Sequence, residues 1–244
     1  MSTTHPAITP NFRQVPARHA WAWVVSGFQL FKANPAMWII LWLIYLAIIV
    51  PISFLGPLGS VLTSLLAPVF AAGMMSGCQA VAQQQDLEIN HLFAGFKKNT
   101  AQLFAVGGMY LASLLAVVIL LVLNMDNATL AALKLGQDLT PEQTDVLLRP
   151  LLFAMLFIVP ILMAYCYAPV LVGLHNLSAS VALKLSFMAC LKNILPFLLY
   201  GVIFTALLLI AMMPMGLGLI VAVPMMMTSL YASYVDVFAV DAAH

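Results

Sequence analysis

Apolar residues in this chain cluster into six runs of about 20, at residues 35–54, 58–79, 101–123, 151–174, 196–213 and 217–234. A run of about 20 apolar residues is what an α-helix needs to cross a hydrocarbon core roughly 30 Å thick. The polar intervals between them are uneven. FLGPLG (54–59) and the short stretch 214–216 leave room only for tight antiparallel hairpins, whereas longer polar stretches precede the first, third and fifth runs. Those longer stretches echo one another as GFQLFKAN (27–34), GFKKN (95–99) and SFMACLKN (186–193). The second run of each pair carries a proline, Pro68 in LAPVF, Pro169 in YAPVL and Pro224 in AVPMM. The expected architecture is an all-α integral membrane protein of six transmembrane helices. They form three pseudo-repeats, each an amphipathic in-plane elbow helix followed by a membrane hairpin. The units cover about residues 17–84, 85–176 and 177–244, the second with an insertion at 124–148, behind a flexible leader at 1–16.

Helical spacing gives each elbow two faces. Trp21, Val24, Val25, Phe28 and Phe31 oppose Arg18, Gln29 and Lys32; Leu92, Phe93 and Phe96 oppose Glu88 and Lys98; Leu183, Phe187 and Leu191 oppose Ser180 and Lys184. Such helices lie in the membrane surface with the aromatic face toward the acyl chains. Asn34, Asn99 and Asn193 close the three elbows and are suited to capping the corner where an in-plane helix turns into a span.

Composition supports this reading: 64% of residues are hydrophobic, 7% are charged, and the mean hydropathy is +1.07. Charge matters here by position. Arg13, Arg18, Lys32, Lys97, Lys98, Lys184 and Lys192 fall on one side of a six-span chain and only Lys134 and Arg149 on the other. The positive-inside rule then places both termini in the cytoplasm and residues 124–148 outside. In that outer segment Thr140 and Pro141 open LTPEQTDVLL with the signals of a short extramembrane helix. The leader has no apolar core that a secretory signal would need.

Candidate chemistry is sparse. Lys32, Lys97, Lys98, Lys184 and Lys192 can orient the chain, and can also attract anionic headgroups at about 1 kcal/mol per cation. Pro68, Pro169 and Pro224 break helical hydrogen bonds, which serves either a kinked fold unit or a solute path. No Asp, Glu, Lys or Arg occupies the middle of a run, which argues against ion-coupled transport; Asp236 and Asp241 read as interfacial. His91 and His175 each stand alone as conceivable ligands. Met212, Met213 and Met215 are the weak metal candidates, because thioethers favour Cu(I), while Met225, Met226 and Met227 lie half a membrane away. Cys78, Cys166 and Cys190 form no CxxC pair. Enzyme motifs such as GxSxG, HExxH or a Walker loop are absent, and no cofactor is expected.

The segment VPARHAWAWVVSGFQLFKANPAMWI (15–39) resembles the N-terminal signature of a family of uncharacterised proteobacterial inner-membrane proteins. More distantly, the elbow-plus-hairpin repeat is similar to the membrane domain of some glycerophosphodiester phosphodiesterases, whose catalytic domain these 244 residues do not contain. The resemblance implies a polytopic helical fold in a bacterial inner membrane and supplies no catalytic residue. The expected role is a non-enzymatic membrane component that engages anionic lipid or a partner membrane protein through its elbows. A carrier or channel for an uncharged or amphipathic solute is the alternative, and metal or haem handling in respiratory-complex assembly a third.

Overall fold

A computed structural model of the chain describes residues 10–136 and 141–239. Its helices are α1 (His19–Ala33), α2 (Pro35–Ser53), α3 (Pro57–Ala82), α4 (Ile89–Leu92), a 3-10 turn (Ala94–Phe96), α5 (Thr100–Leu123), α6 (Asn127–Lys134), α7 (Pro141–His175), α8 (Ala179–Lys192), α9 (Ile194–Met212) and α10 (Leu219–Val237). No strand occurs among the described residues. Six of the helices, α2, α3, α5, the Pro150–His175 part of α7, α9 and α10, are long and apolar enough to cross a membrane. The chain is an all-α integral membrane protein, with helices where the apolar runs predict them.

The hairpin turns follow from their glycines and prolines. Gly56, at φ +63°, turns the chain and Pro57 starts α3 with its φ already helical. Gly59 then lets α3 close on α2, because a Cβ there would lie 2.2 Å from the Ile52 carbonyl oxygen. At the other tip Gly216 (φ +80°) makes the same reversal between α9 and α10.

Each elbow segment packs on the span that precedes it, with α1 closing the circle onto α10. Backbones meet at these crossings. A Cβ on Gly27 would lie 2.4 Å from the Ser229 Cα, and one on Gly95 would lie 2.1 Å from the Val69 carbonyl oxygen. At the third crossing the hydroxyl of Ser186 enters α7, donating to the Met163 carbonyl (2.7 Å) and accepting from the Tyr167 N–H (2.9 Å). That places a side chain inside the i to i−4 ladder, beside the position where Pro169 has already removed a donor. Helices α3, α7 and α10 run on past these crossings. At 1.5 Å per residue the overrun is about 20 Å from Val69 to Ala82 and about 12 Å from Tyr167 to His175 and from Ser229 to Val237. The elbows thus form a layer around three protruding helix ends.

Three expectations need correction. The leader is not free throughout: Val15 is buried, and residues 12–16 are strapped to α8 and α10 by contacts described below. The second elbow is one helical turn plus a 3-10 turn, because Gly95 presses against α3 and Phe93 and Phe96 fold onto Phe70, at 6.2 and 5.3 Å between ring centroids. The extramembrane helix beginning at Pro141 is continuous with the fourth span, making α7 35 residues long. Pro150 stays inside it, since a span tolerates a proline whose freed carbonyl finds another partner. Thr140, with residues 1–9 and Asp241, lies outside the described residues. The segment before it holds an extra helix, α6, capped by Asp126, whose carboxylate accepts from the Thr129 N–H.

Candidate functional site at the elbow end

The elbow end concentrates polar chemistry around Asp236, which belongs to the last turn of α10 rather than to a trailing interfacial segment. Its Oδ1 receives Arg13 Nη2 at 2.7 Å, and its Oδ2 meets both His19 Nδ1 and Trp23 Nε1 at 2.7 Å. Arg13 Nε also donates to the Asp236 carbonyl at 2.8 Å, and the Arg13 N–H to the Val237 carbonyl at 2.8 Å. One carboxylate therefore ties together the N-terminal strap, α1 and α10, with every bond assisted by its charge.

The three elbow asparagines do different work. Asn34 accepts from the Met37 N–H at 3.3 Å and caps α2. Asn99 takes a left-handed backbone, φ +52°, and its amide reaches across to the Asn176 side chain at 3.0 Å. Asn193 is fully buried: its Oδ1 accepts from the Val15 N–H (2.8 Å) and its Nδ2 donates to the Arg13 and Ala189 carbonyls (2.9 Å each). It clamps the strap. Neither histidine singled out in the sequence stands free, since His91 Nδ1 caps the Glu88 N–H at 3.0 Å and His175 Nε2 hydrogen-bonds the Tyr234 hydroxyl.

The collar lysines lie open at the surface. Lys32, Lys97, Lys98, Lys184 and Lys192 are all exposed. Both ion pairs found among the described residues end on Asp236, so no described carboxylate neutralises them. Lys192 instead lies over the Phe12 ring, 5.5 Å from its centroid. Lys97 and Lys98 edge a cleft of about 190 Å³ between α3, the 3-10 turn and α7. A larger cleft of about 790 Å³ opens between α1, α3 and α10 and includes Arg13, His19, Gln29, Gln84 and Asp236.

The remaining candidates make none of these contacts. Pro68, Pro169 and Pro224 are all buried; Pro68 adjoins Val69 at the second crossing and Pro169 lies two residues past Tyr167 at the third, whereas Pro224 precedes Ser229 by five residues. Met212, Met213 and Met215 project from the opposite tip, Met215 being 94% exposed, whereas Met225, Met226 and Met227 are half-buried in the helix interior. Among the described residues no group of three or more His, Cys, Asp or Glu side chains is placed to hold a metal. The Cys190 thiol is pushed far up from its ordinary range, first by its hydrogen bond with Cys166 and then by burial, so it stays protonated and unreactive.

Sequence reasoning missed the Asp236 hub and the Asn193 clamp. The aromatic and acidic residues were visible, but no local pattern pairs Arg13 with a residue 223 positions away.

Comparison with known proteins adds one relative. The chain is similar to a probable inner membrane protein of Burkholderia thailandensis, 28% identical over 254 aligned residues that cover 93% of this chain and 94% of the relative. No family model and no solved structure matches the chain.

Proposed function

We propose that this is a non-enzymatic inner-membrane protein whose elbow layer engages anionic lipid headgroups, with both termini on the cytoplasmic side. The observation that carries the reading is the set of unneutralised lysines ringed around helix crossings while the one nearby carboxylate on α10 is already occupied. Aromatic residues accompany them. Trp21 and Phe28 on α1 are exposed although their neighbours Trp23 and Phe31 are buried against the bundle, which suits an outer face sunk in acyl chains and an inner face packed on protein. The excess of Lys and Arg at the elbow end supports the orientation, and the relative's inner-membrane designation supports the location. The distant similarity to phosphodiesterase membrane domains is compatible with a lipid-facing role and brings no activity with it.

The solute-carrier alternative drew on the three prolines. All three are buried, and for Pro68 and Pro169, which adjoin crossings, this suggests a different use, freeing helix geometry where the elbows press in. To test the lipid reading, Lys97, Lys98, Lys184 and Lys192 are replaced together by Gln and the lipid retained by the protein in mild detergent is measured. The expected result is a several-fold fall in anionic lipid with thermal stability unchanged. Unchanged lipid content overturns the proposal.

A further inference from the structure

We infer that the cleft between α3, the 3-10 turn and α7 is a seat for one phosphate ester, a specific subsite within the lysine collar; the inference rests on the lipid reading above and makes it local. Four polar side chains line this cleft, Ser76, Gln79, Lys97 and Lys98, and every one can donate a hydrogen bond. No carboxylate lines it. The cleft is therefore a cationic, donor-rich pocket, the complement of a group that carries negative charge and only acceptor oxygens.

Size narrows the ligand. About 190 Å³ is well below the roughly 300–1,000 Å³ of pockets that enclose drug-sized molecules. A space of that size suits a small polar group such as a phosphate ester rather than a whole lipid or a large cofactor. The larger cleft beside Asp236 is about four times as roomy and holds both signs of charge, so it offers no such selection.

The pocket is held in shape by backbone contacts rather than by side chains alone. Gly95 abuts the Val69 carbonyl, and a Cβ on Gly173 would come 2.9 Å from the Ala72 Cβ. The first approach holds the turn that precedes Lys97 and Lys98 against α3, and the second holds α7 against α3, so the three walls of the pocket are set by the backbone. The site lies on the overrun of α3, with Ser76 and Gln79 roughly 10–15 Å past the Val69 crossing. Phosphate esters reach it from two sources, a lipid headgroup or a soluble phosphorylated compound, and both present the same oxygens.

The test uses the purified full-length protein and three probes: vesicles of phosphatidylglycerol in phosphatidylcholine, vesicles of phosphatidylcholine alone, and inorganic phosphate. Three variants are compared: Lys97→Gln/Lys98→Gln, which removes the charges; Ser76→Leu, which fills the cleft and leaves them; and Lys184→Gln/Lys192→Gln, which removes collar charge elsewhere. The expected result is that the first two each weaken phosphatidylglycerol binding at least tenfold while the third weakens it about twofold. Inorganic phosphate competing with the vesicles at millimolar concentration, and losing that ability in Ser76→Leu, supports the site with a soluble source. Failure of inorganic phosphate to compete, with the tenfold losses intact, supports it with a lipid source. If Ser76→Leu binds normally and the two lysine pairs weaken binding equally, the subsite is overturned and the diffuse collar reading survives. If no variant changes binding, both fall. Circular dichroism and melting temperature of Ser76→Leu show whether it folds; if it does not, Ser76→Val at the same position takes its place in the comparison.

Discussion

The two ends of the bundle are held together differently. At the elbow end, hydroxyl and amide side chains reach from one element to another: Thr228 donates to the Gly27 carbonyl (2.8 Å), Ser229 to the Trp23 carbonyl (3.0 Å), Tyr167 meets Ser233 (2.9 Å), and Asn193 spans to Arg13. Toward the hairpin tips the described hydroxyls turn back on their own helices, as in Ser53 to Val50, Ser64 to Ser60 and Ser113 to Met109. The large side chains follow the same division, with Trp23, Trp38, Tyr167 and Tyr234 fully buried near the elbows and Phe54, Leu123 and Met213 exposed at the tips. In hydrocarbon no hydrophobic force favours helix over lipid contact, so association depends on close backbone approach and interhelical hydrogen bonds. This protein places most of both at one end. The elbow layer specifies the arrangement, and the tips are left to pack against lipid.

The sharpest way to break that contrast is at a crossing. Gly27→Leu drives a side chain into the Ser229 backbone and is expected to cost more than about 4 kcal/mol, read as loss of the folded species in detergent melts. Gly201→Leu, at a position with nothing within 4 Å, is the matched control and is expected to melt like the parent. Next comes Asp236→Asn, which removes the charge shared by Arg13, His19 and Trp23. Charge-assisted hydrogen bonds contribute about 1.5–3 kcal/mol, so the strap should open, and trypsin should cut after Arg13 faster than in the parent. An unchanged cleavage rate would show that Asn193 and the backbone carbonyls of Asp236 and Val237 hold the strap without the carboxylate. Ser186→Ala removes one interhelical bridge and is expected to lower stability by about 1 kcal/mol, in line with the modest worth of such bonds in membranes. The smallest effect belongs to the far tip. Met213→Ser with Met215→Ser should shift the melting temperature by no more than about a degree, as expected for exposed surface positions, and elemental analysis should find the same metal content as in the parent.

These differences also explain what the chain makes legible. Spans are legible because hydropathy sums over about 20 positions, and an error at one residue hardly moves the total. The Asn34 corner is legible because a cap acts within three residues. The faces of α1 are not: Trp21 and Trp23 look alike in a periodic pattern, yet Trp23 is buried by Asp236 and Phe197 while Trp21 faces outward. Which aromatic packs on protein depends on where Gly27 meets α10, and that meeting joins residues 202 positions apart. The second elbow fails for a related reason, since two glycine contacts with α3, at Gly73 and Gly95, override a periodicity carried by very few residues. The long reach of α7 was hidden because Pro150 beside a charge normally marks a boundary.

The hydrogen bond from Arg13 to Val237 closes the described chain into a ring. During synthesis, at about 5–20 residues per second, α10 emerges roughly 10–40 s after α1. Helix α1 is the first to be made, and its packing is completed only when the last helix reaches it. Until α10 arrives, Gly27 lacks its Ser229 contact and Trp23 has only the α9 rings of Phe197 and Tyr200 to pack on. A ring of this kind could also be opened elsewhere. Joining the two ends and cutting in the Phe54 turn would leave every crossing intact while changing which helix has to wait.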